Sequence, residues 1–471
     1  MSLSARAWLW IAVALAAAVR LPTLDLQSLW ADEAVTASVT SGTLGHLFSA
    51  VWNGESTPPL FYMLEWPVVA LLGDGEAALR LVPAACSIAA VPVVAAIARR
   101  ITHPSSRDWA GAAAALLCAA NPLLIWFGQE ARAYALLALL SACTTLLVLR
   151  ATEAPTQTRL GAWAASAILA FATHWFAIFV LLPQAFLLAW RLRRTAAPPL
   201  AALGAGLAAG LPLLLHQRSQ GLASFIDDRS IGGRLAEIPK QFLVGYDAPL
   251  EALLTTLAAL LVLAGVAGVM RTRNVQMLAV AAIAAGGAAL PLLAAFAGQD
   301  YLLTRNLLPA LILLIPLLGA GLATLGRPGA GAVGGLAAVG IAITIAVAAD
   351  SSYQRDDWRS AVESLGPPGG RRLVIVTPAS GLPAAEYYLR DTTPLSGPTP
   401  VWRTAIIAVG SRDPGRRRAQ PAVPPSPPGT FPTQHSGKTW LSMQTAHGLG
   451  VAVPATASTF GGPKAAGLVE G

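Results

Sequence analysis

Long apolar runs separated by short polar links recur from near residue 7 to near residue 349. A helix needs roughly 20 apolar residues to cross the hydrocarbon core of a bilayer. The runs predict about eleven such spans, over 7–20, 78–98, 109–127, 133–150, 160–174, 175–191, 200–216, 250–270, 276–297, 303–325 and 330–349. The first, "WLWIAVALAAAV" behind Arg6, also has the length of a signal-peptide core. In either case a long first loop, about 21–77, follows on the far side. Past Asp350 the pattern changes. "RRLVIVTP" reads as a strand, "GLPAAEYYLR" as a short helix and "TAIIAVGS" as a second strand, while "RRRAQPAVPPSPPGTFP" is too rich in proline and arginine to pack regularly. The pattern therefore predicts an all-α polytopic membrane region over 1–350 and a C-terminal region, 351–471, holding a small α/β domain and a Pro/Arg-rich loop.

Composition agrees: 55% of the 471 residues are hydrophobic and only 12% are charged, about half the charged share of a typical soluble domain. The three cysteines, Cys86, Cys118 and Cys143, lie inside apolar runs and read as small buried hydrophobes, with no disulfide framework. A formal net charge of +8 would suit a nucleic-acid binder, but its distribution excludes that reading. Arg6, Arg99, Arg100, Arg107, Arg150, Arg159, Arg191, Arg193, Arg194, Arg271, Arg273 and Arg327 fall in links on one side of the predicted topology. The positive-inside rule makes that side cytoplasmic. The odd number of spans then sends the C-terminal region outside. "HSGKTW" carries only the tail of a phosphate-binding loop and reads as chance.

The opposite links collect ionisable side chains from distant parts of the chain: Asp32, Glu33, Glu55, Glu130, Arg132, His174 and Arg305. Ionisable groups cost about 2.5–3.5 kcal/mol at the centre of a spanning helix, less near its ends, so several on one face point to a site. Each has a plainer reading. The acid pair suits a solvated helix N-terminus, Arg132 and Arg305 suit interfacial anchors, and His174 suits a cap between two apolar runs. Asp227 and Asp228, in the longer outer loop, read as a solvated loop, with acceptor contacts as the alternative. Pro58 and Pro59 suit the first turn of a helix lying along the membrane, with Phe61, Tyr62, Leu64 and Trp66 as its apolar contacts.

"SLWADEA", "ESTPPLFYMLEW" ahead of "GEAALRLVPA", "NPLLIWFGQEARAYALL", "THWFAIFVLLPQ" and "TRNLLPALILLIPLL" occur in that order over roughly 1–350. In this the chain resembles bacterial GT-C glycosyltransferases of the protein O-mannosyltransferase and lipid A aminoarabinose transferase branch. The C-terminal region lies outside the resemblance. What it implies is a GT-C fold in the bacterial plasma membrane and transfer of a sugar from a polyprenyl-phosphate donor to an acceptor hydroxyl at the extracytoplasmic face. The acceptor class, whether glycan, lipid or protein, stays open. The chemistry asks for a cation facing the departing phosphate and a carboxylate taking the acceptor's proton. By resemblance Asp32 is the base and Glu33 its support, and the reaction is inverting. Arg132 is the first phosphate candidate and Arg305 the second. Glu130, Tyr134 and His174 are expected on the supporting or acceptor side, Glu130 and Tyr134 sharing a face if their segment is helical. No cofactor is expected; a divalent cation held by carboxylates is the alternative source of positive charge. A polytopic transporter or lipid-linked sugar flippase is the rival class, and it would place its polar groups near the midplane.

Overall fold

The computed structural model describes residues 3–221, 230–272, 274–367, 370–377, 379–394, 399–409, 434–436, 441–453 and 466–470. Asp227, Asp228 and the Pro/Arg-rich stretch lie outside them. Helices α1 (Leu3–Ala18), α2 (Ala31–Thr40), α3 (Leu44–Gly54), α4 (Leu60–Leu72), α5 (Glu76–Leu79) and α6 (Leu81–Ile101) lead into α7 (Arg107–Ala120), α8 (Pro122–Gly128), α9 (Tyr134–Glu153) and α10 (Gln157–Thr173). There follow α11 (Ile178–Leu192), α12 (Ala197–Ser219), α13 (Ile231–Val244), α14 (Glu251–Met270), α15 (Val275–Phe296), α16 (Leu308–Ala323), α17 (Arg327–Ala349) and α18 (Trp358–Glu363). The remainder is β1 (Arg372–Thr377), α19 (Leu382–Leu389), β2 (Thr392–Pro394), β3 (Thr399–Val409), β4 (Gln434–Ser436), β5 (Leu441–Val453) and β6 (Ala466–Glu470).

Each expected span has a helical counterpart, but the number that cross on their own is smaller than eleven. Among the described residues eight helical segments are long and apolar enough to span a membrane, or nine if one bent pair is a single span. Three local features account for the difference. The run Trp175–Ser219 carries α11 and α12 as one 45-residue segment, α10 has only 17 residues, and the expected helix 109–127 is broken by 59° between α7 and α8. Asn121 and Pro122 cause the break. Proline lacks the N–H that would continue the ladder, and the Asn121 side chain instead caps α8 by accepting from Leu124 N at 2.9 Å.

The chain divides into two compact units, Met1–Leu24 with Val39–Ala346, and Asp25–Ser38 with Val347–Gly471. In the first, α16 is buried on nearly every side, as expected of a helix that is apolar all round. Its small residues allow close crossings: a side chain at Gly321 would strike the α14 backbone at Gly265, and one at Gly319 would strike Ala114 of α7. The broken end of α7 exposes carbonyls, and the fully buried Arg20 takes them up. Its Nη1 donates to Ala119 O at 2.9 Å and its Nε to Ser87 Oγ at 2.8 Å. Gln129, in the loop after α8, donates to Arg20 O at 2.8 Å. This ties the "GQEARAY" segment to the end of α1.

The second unit is built on a six-stranded sheet of order β2-β6-β1-β3-β5-β4. Strands β1 and β3 are parallel, joined by a connection that includes α19, and the other pairs are antiparallel. Leu373, Val374, Ile375 and Val376 of β1 are all buried, the continuous apolar run that a central strand requires. The short segment Asp25–Ser38 belongs to this unit although more than 300 residues of chain separate it from the rest.

Candidate functional site

In the second unit the acid pair occupies the first turn of α2, where the positive end of the helix dipole favours carboxylates. The two acids have different fates. Glu33 is fully buried, whereas Asp32 is partly exposed. Neighbours on a helix are about 100° apart, so one faces inward while the other keeps part of its surface exposed. Glu33 Oε2 accepts from Trp30 N at 3.4 Å and lies 3.7 Å from Arg355 Nη1.

In the first unit a buried polar cluster forms around Arg132. Its Nη1 and Nη2 fork onto Glu55 Oε1 and Oε2 at 2.8 and 3.3 Å, and Nη1 also donates to Tyr62 Oη at 3.0 Å. Thr57 Oγ1 donates to Glu55 Oε2 at 3.3 Å and lies 3.1 Å from Tyr62 Oη. Burial holds the Tyr62 hydroxyl well above the ordinary phenol value despite the nearby Arg132 charge, so it stays protonated. Gln217 of α12 fastens the Thr57 loop by donating to Val51 O and Thr57 O at 3.0 and 3.1 Å.

His174 joins this neighbourhood. It ends α10 and starts the next turn, its Nδ1 accepting from Phe176 N at 3.3 Å. Burial first, then the charges of Arg132 and Arg305, push it down to about 3, which keeps the ring neutral. Tyr134 packs on it at 5.5 Å between ring centroids, and the Arg305 guanidinium stands 5.9 Å over the Tyr134 ring. Arg305 is half-buried, one turn ahead of the central helix α16.

The structure thus brings Arg132, Tyr134, His174 and Arg305 together in the first unit and holds Asp32 and Glu33 in the second. It corrects one expectation. Glu130 and Tyr134 do not share a helical face, because 129–133 form turns and α9 begins only at Tyr134. The Arg132 N–H donates to Glu130 O at 2.7 Å, a tight turn incompatible with a continuous helix. Among the described residues no three His, Cys, Asp or Glu side chains converge as metal ligands do.

Sequence reasoning passed over Glu65. It sits one turn beyond Tyr62 on the buried face of α4, and among the described residues no group hydrogen-bonds either carboxyl oxygen. Burial raises it to about 9. The i, i+3 spacing from Tyr62 was the available signal. Because the folded value exceeds the unfolded one, the carboxyl's contribution is intact below about 4.5 and declines as pH rises toward 9. Glu65→Gln should therefore leave thermal stability in detergent unchanged near pH 5 and raise it relative to wild type at pH 8. The gap should widen by up to about 1.4 kcal/mol per pH unit; parallel profiles for the two proteins would contradict this.

Residues 56–215, which contain Thr57, Tyr62, Glu65, Arg132, Tyr134 and His174, match the family model of dolichyl-phosphate-mannose-protein mannosyltransferases. The match covers about a third of the chain. Its fold is similar to that of ArnT from Cupriavidus metallidurans. In the apo state that structure matches with a TM-score of 0.53 at 15% identity, over 82% of this chain and 85% of ArnT. The undecaprenyl phosphate-bound form matches with a TM-score of 0.53 at 14% identity, over 93% of this chain and 98% of ArnT. A comparison with curated proteins finds no match. Arg355 and Glu470, like the rest of the sheet unit, lie outside the family-model match.

Proposed function

We propose that the protein transfers a sugar from a polyprenyl-phosphate donor to an acceptor hydroxyl at the extracytoplasmic face of the bacterial plasma membrane, with inversion at C1. One observation supports the assignment of the base: of two adjacent acids, Glu33 is fully buried and Asp32 is partly exposed. Asp32 takes the proton of the acceptor hydroxyl as its oxygen attacks C1 opposite the phosphate. The C1–O bond to phosphate breaks, and polyprenyl phosphate leaves with the electron pair. A phosphate leaving group is weakly basic, so charge matters more there than a proton. Arg132 and Arg305 supply it. They are unequal: Arg132 is forked onto Glu55, while Arg305 is more exposed and so better placed for direct contact. The family match over 56–215 and the undecaprenyl phosphate bound by ArnT support a lipid-phosphate donor. The deciding experiment is release of polyprenyl phosphate by the purified protein from polyprenyl-phosphate-linked hexoses and pentoses, with Asp32→Asn as the inactive control. Release from none of the lipid-linked sugars in the presence of glycan, lipid and peptide hydroxyl acceptors would count against the reading.

The topology has its own test. Ser56 is exposed and its N–H donates to Glu55 Oε2 at 3.1 Å, so a cysteine there reports on the Glu55 loop without entering the core. Ser56→Cys should react with a membrane-impermeant maleimide in intact cells. Labelling seen only after lysis would place this loop in the cytoplasm and overturn the proposed face.

A further inference from the structure

The proposed mechanism makes no use of the sheet unit, yet the acid-bearing segment is built into it. Four side chains clip residues 25–29 to the stretch that precedes and forms α18, and to α19. Arg359 Nη2 donates to Asp25 O at 2.9 Å, and Arg355 N donates to Gln27 Oε1 at 3.0 Å. Ser28 works both ways, its Oγ donating to Asp356 O at 2.8 Å and accepting from Trp358 N at 3.0 Å. Tyr388 Oη accepts from Leu29 N at 2.7 Å. One residue past the acids, Ala34 enters the unit's hydrophobic core with Trp358, Ala361, Val374 and Leu468. The first turn of α2 is thereby held from both ends.

Arg355 acts in the middle of that turn. It is buried, and its guanidinium faces the fully buried Glu33 carboxylate. Removing one partner of a buried ion pair is strongly destabilising, so loss of Arg355 favours a Glu33 side chain that is protonated or turned outward. Glu33 shares the first turn of α2 with Asp32, so a backbone shift that lets Glu33 leave its buried place also moves Asp32.

We infer that Arg355 is a positioning residue for Asp32, acting through Glu33, and that the small α/β unit serves to present the base. This rests on the reading of Asp32 given above. In chemical terms the unit sets where one carboxylate oxygen stands relative to the attacking hydroxyl, where a displacement of about 1 Å costs roughly 10²-fold in rate.

The test uses the full-length protein in detergent. Amide hydrogen exchange needs no substrate: in Arg355→Leu, exchange at residues 30–36 should rise by about tenfold or more while β1 and α19 keep their protection. Neutralising the partner in Glu33→Gln/Arg355→Leu should return most of it. In single turnovers with the lipid-linked sugar that wild type cleaves, Arg355→Leu should lower the rate by about 10²-fold with donor KM unchanged. The same change on the Glu33→Gln background should cost less than about twofold, and Arg355→Lys should recover part of the loss. Wild-type exchange at 30–36 in Arg355→Leu, or equal losses on both backgrounds, would overturn the inference. So would a Glu33→Gln/Arg355→Leu protein that folds with residues 30–36 still unprotected. Full turnover in Asp32→Asn would instead remove the underlying reading, and that outcome is separate: Asp32→Asn inactive beside a normal Arg355→Leu removes only the positioning role.

Discussion

Asp32→Asn should reduce single-turnover sugar transfer by at least about 10²-fold and up to about 10⁴-fold, the usual worth of a general base. The substitution keeps the shape of the side chain and its place in the first turn of α2. It removes the negative charge and with it the ability to accept a proton. Donor affinity should stay near the wild-type value, because the proposed mechanism assigns the phosphate to the arginines and not to Asp32. Glu33→Gln should be milder in the chemical step, since Glu33 is fully buried and in the proposed mechanism only orients its neighbour. Saturating donor in both experiments takes binding out of the comparison. A dead Glu33→Gln beside near-normal Asp32→Asn would exchange the two roles, and full activity in both would sink the proposed mechanism.

Arg132→Ala should have two effects that can be separated. Glu55 is buried and bonded in a fork by Arg132, so removing the cation strands a carboxylate. Breaking a buried pair in this way costs about 3–5 kcal/mol, read as a fall in the thermal midpoint in detergent. Glu55→Gln/Arg132→Ala should recover much of that stability, because neither half is then charged. Donor affinity should not recover with it. Loss of a charge-assisted hydrogen bond, worth about 1.5–3 kcal/mol, predicts roughly tenfold weaker binding or more in the stabilised double variant. Arg132→Lys should restore only part, since ammonium lacks the planar fork. Unchanged donor affinity in the double variant would assign the phosphate to Arg305 alone.

The membrane helices were legible because a bilayer imposes length and polarity on every crossing segment, and those show directly in a run of apolar letters. Their continuity was less legible. Asn121–Pro122 was visible as a stop signal, yet the apolar letters on both sides carried the expected helix through it. The acid pair, Arg132 and Arg305 stood out because charge is rare in such a chain. Their partners did not. Arg132 meets Glu55 across 77 residues, and the stretch that clips the acidic segment is some 330 residues away. Neither pairing leaves a local pattern, since spacing along one element encodes contacts only within that element. The helical face proposed for Glu130 and Tyr134 failed for a related reason: i, i+4 logic presumes a helix, and the tight turn at 130–132 ends that premise.

The interleaving of Asp25–Ser38 with Val347–Gly471 also sets an order of events during synthesis. Ser28 and its partner Trp358 are 330 residues apart, and chains grow at about 5–20 residues per second, so the segment waits roughly 15–65 s for the stretch that receives it. Through that interval the membrane helices can insert and pack while the acidic turn has no seat. Strand β6 is later still, and it enters between β2 and β1 in the middle of the sheet, not at an edge. The nascent protein therefore passes through a stage in which the membrane helices can pack while the first turn of α2 is unseated, and among the described strands β6 joins the sheet last.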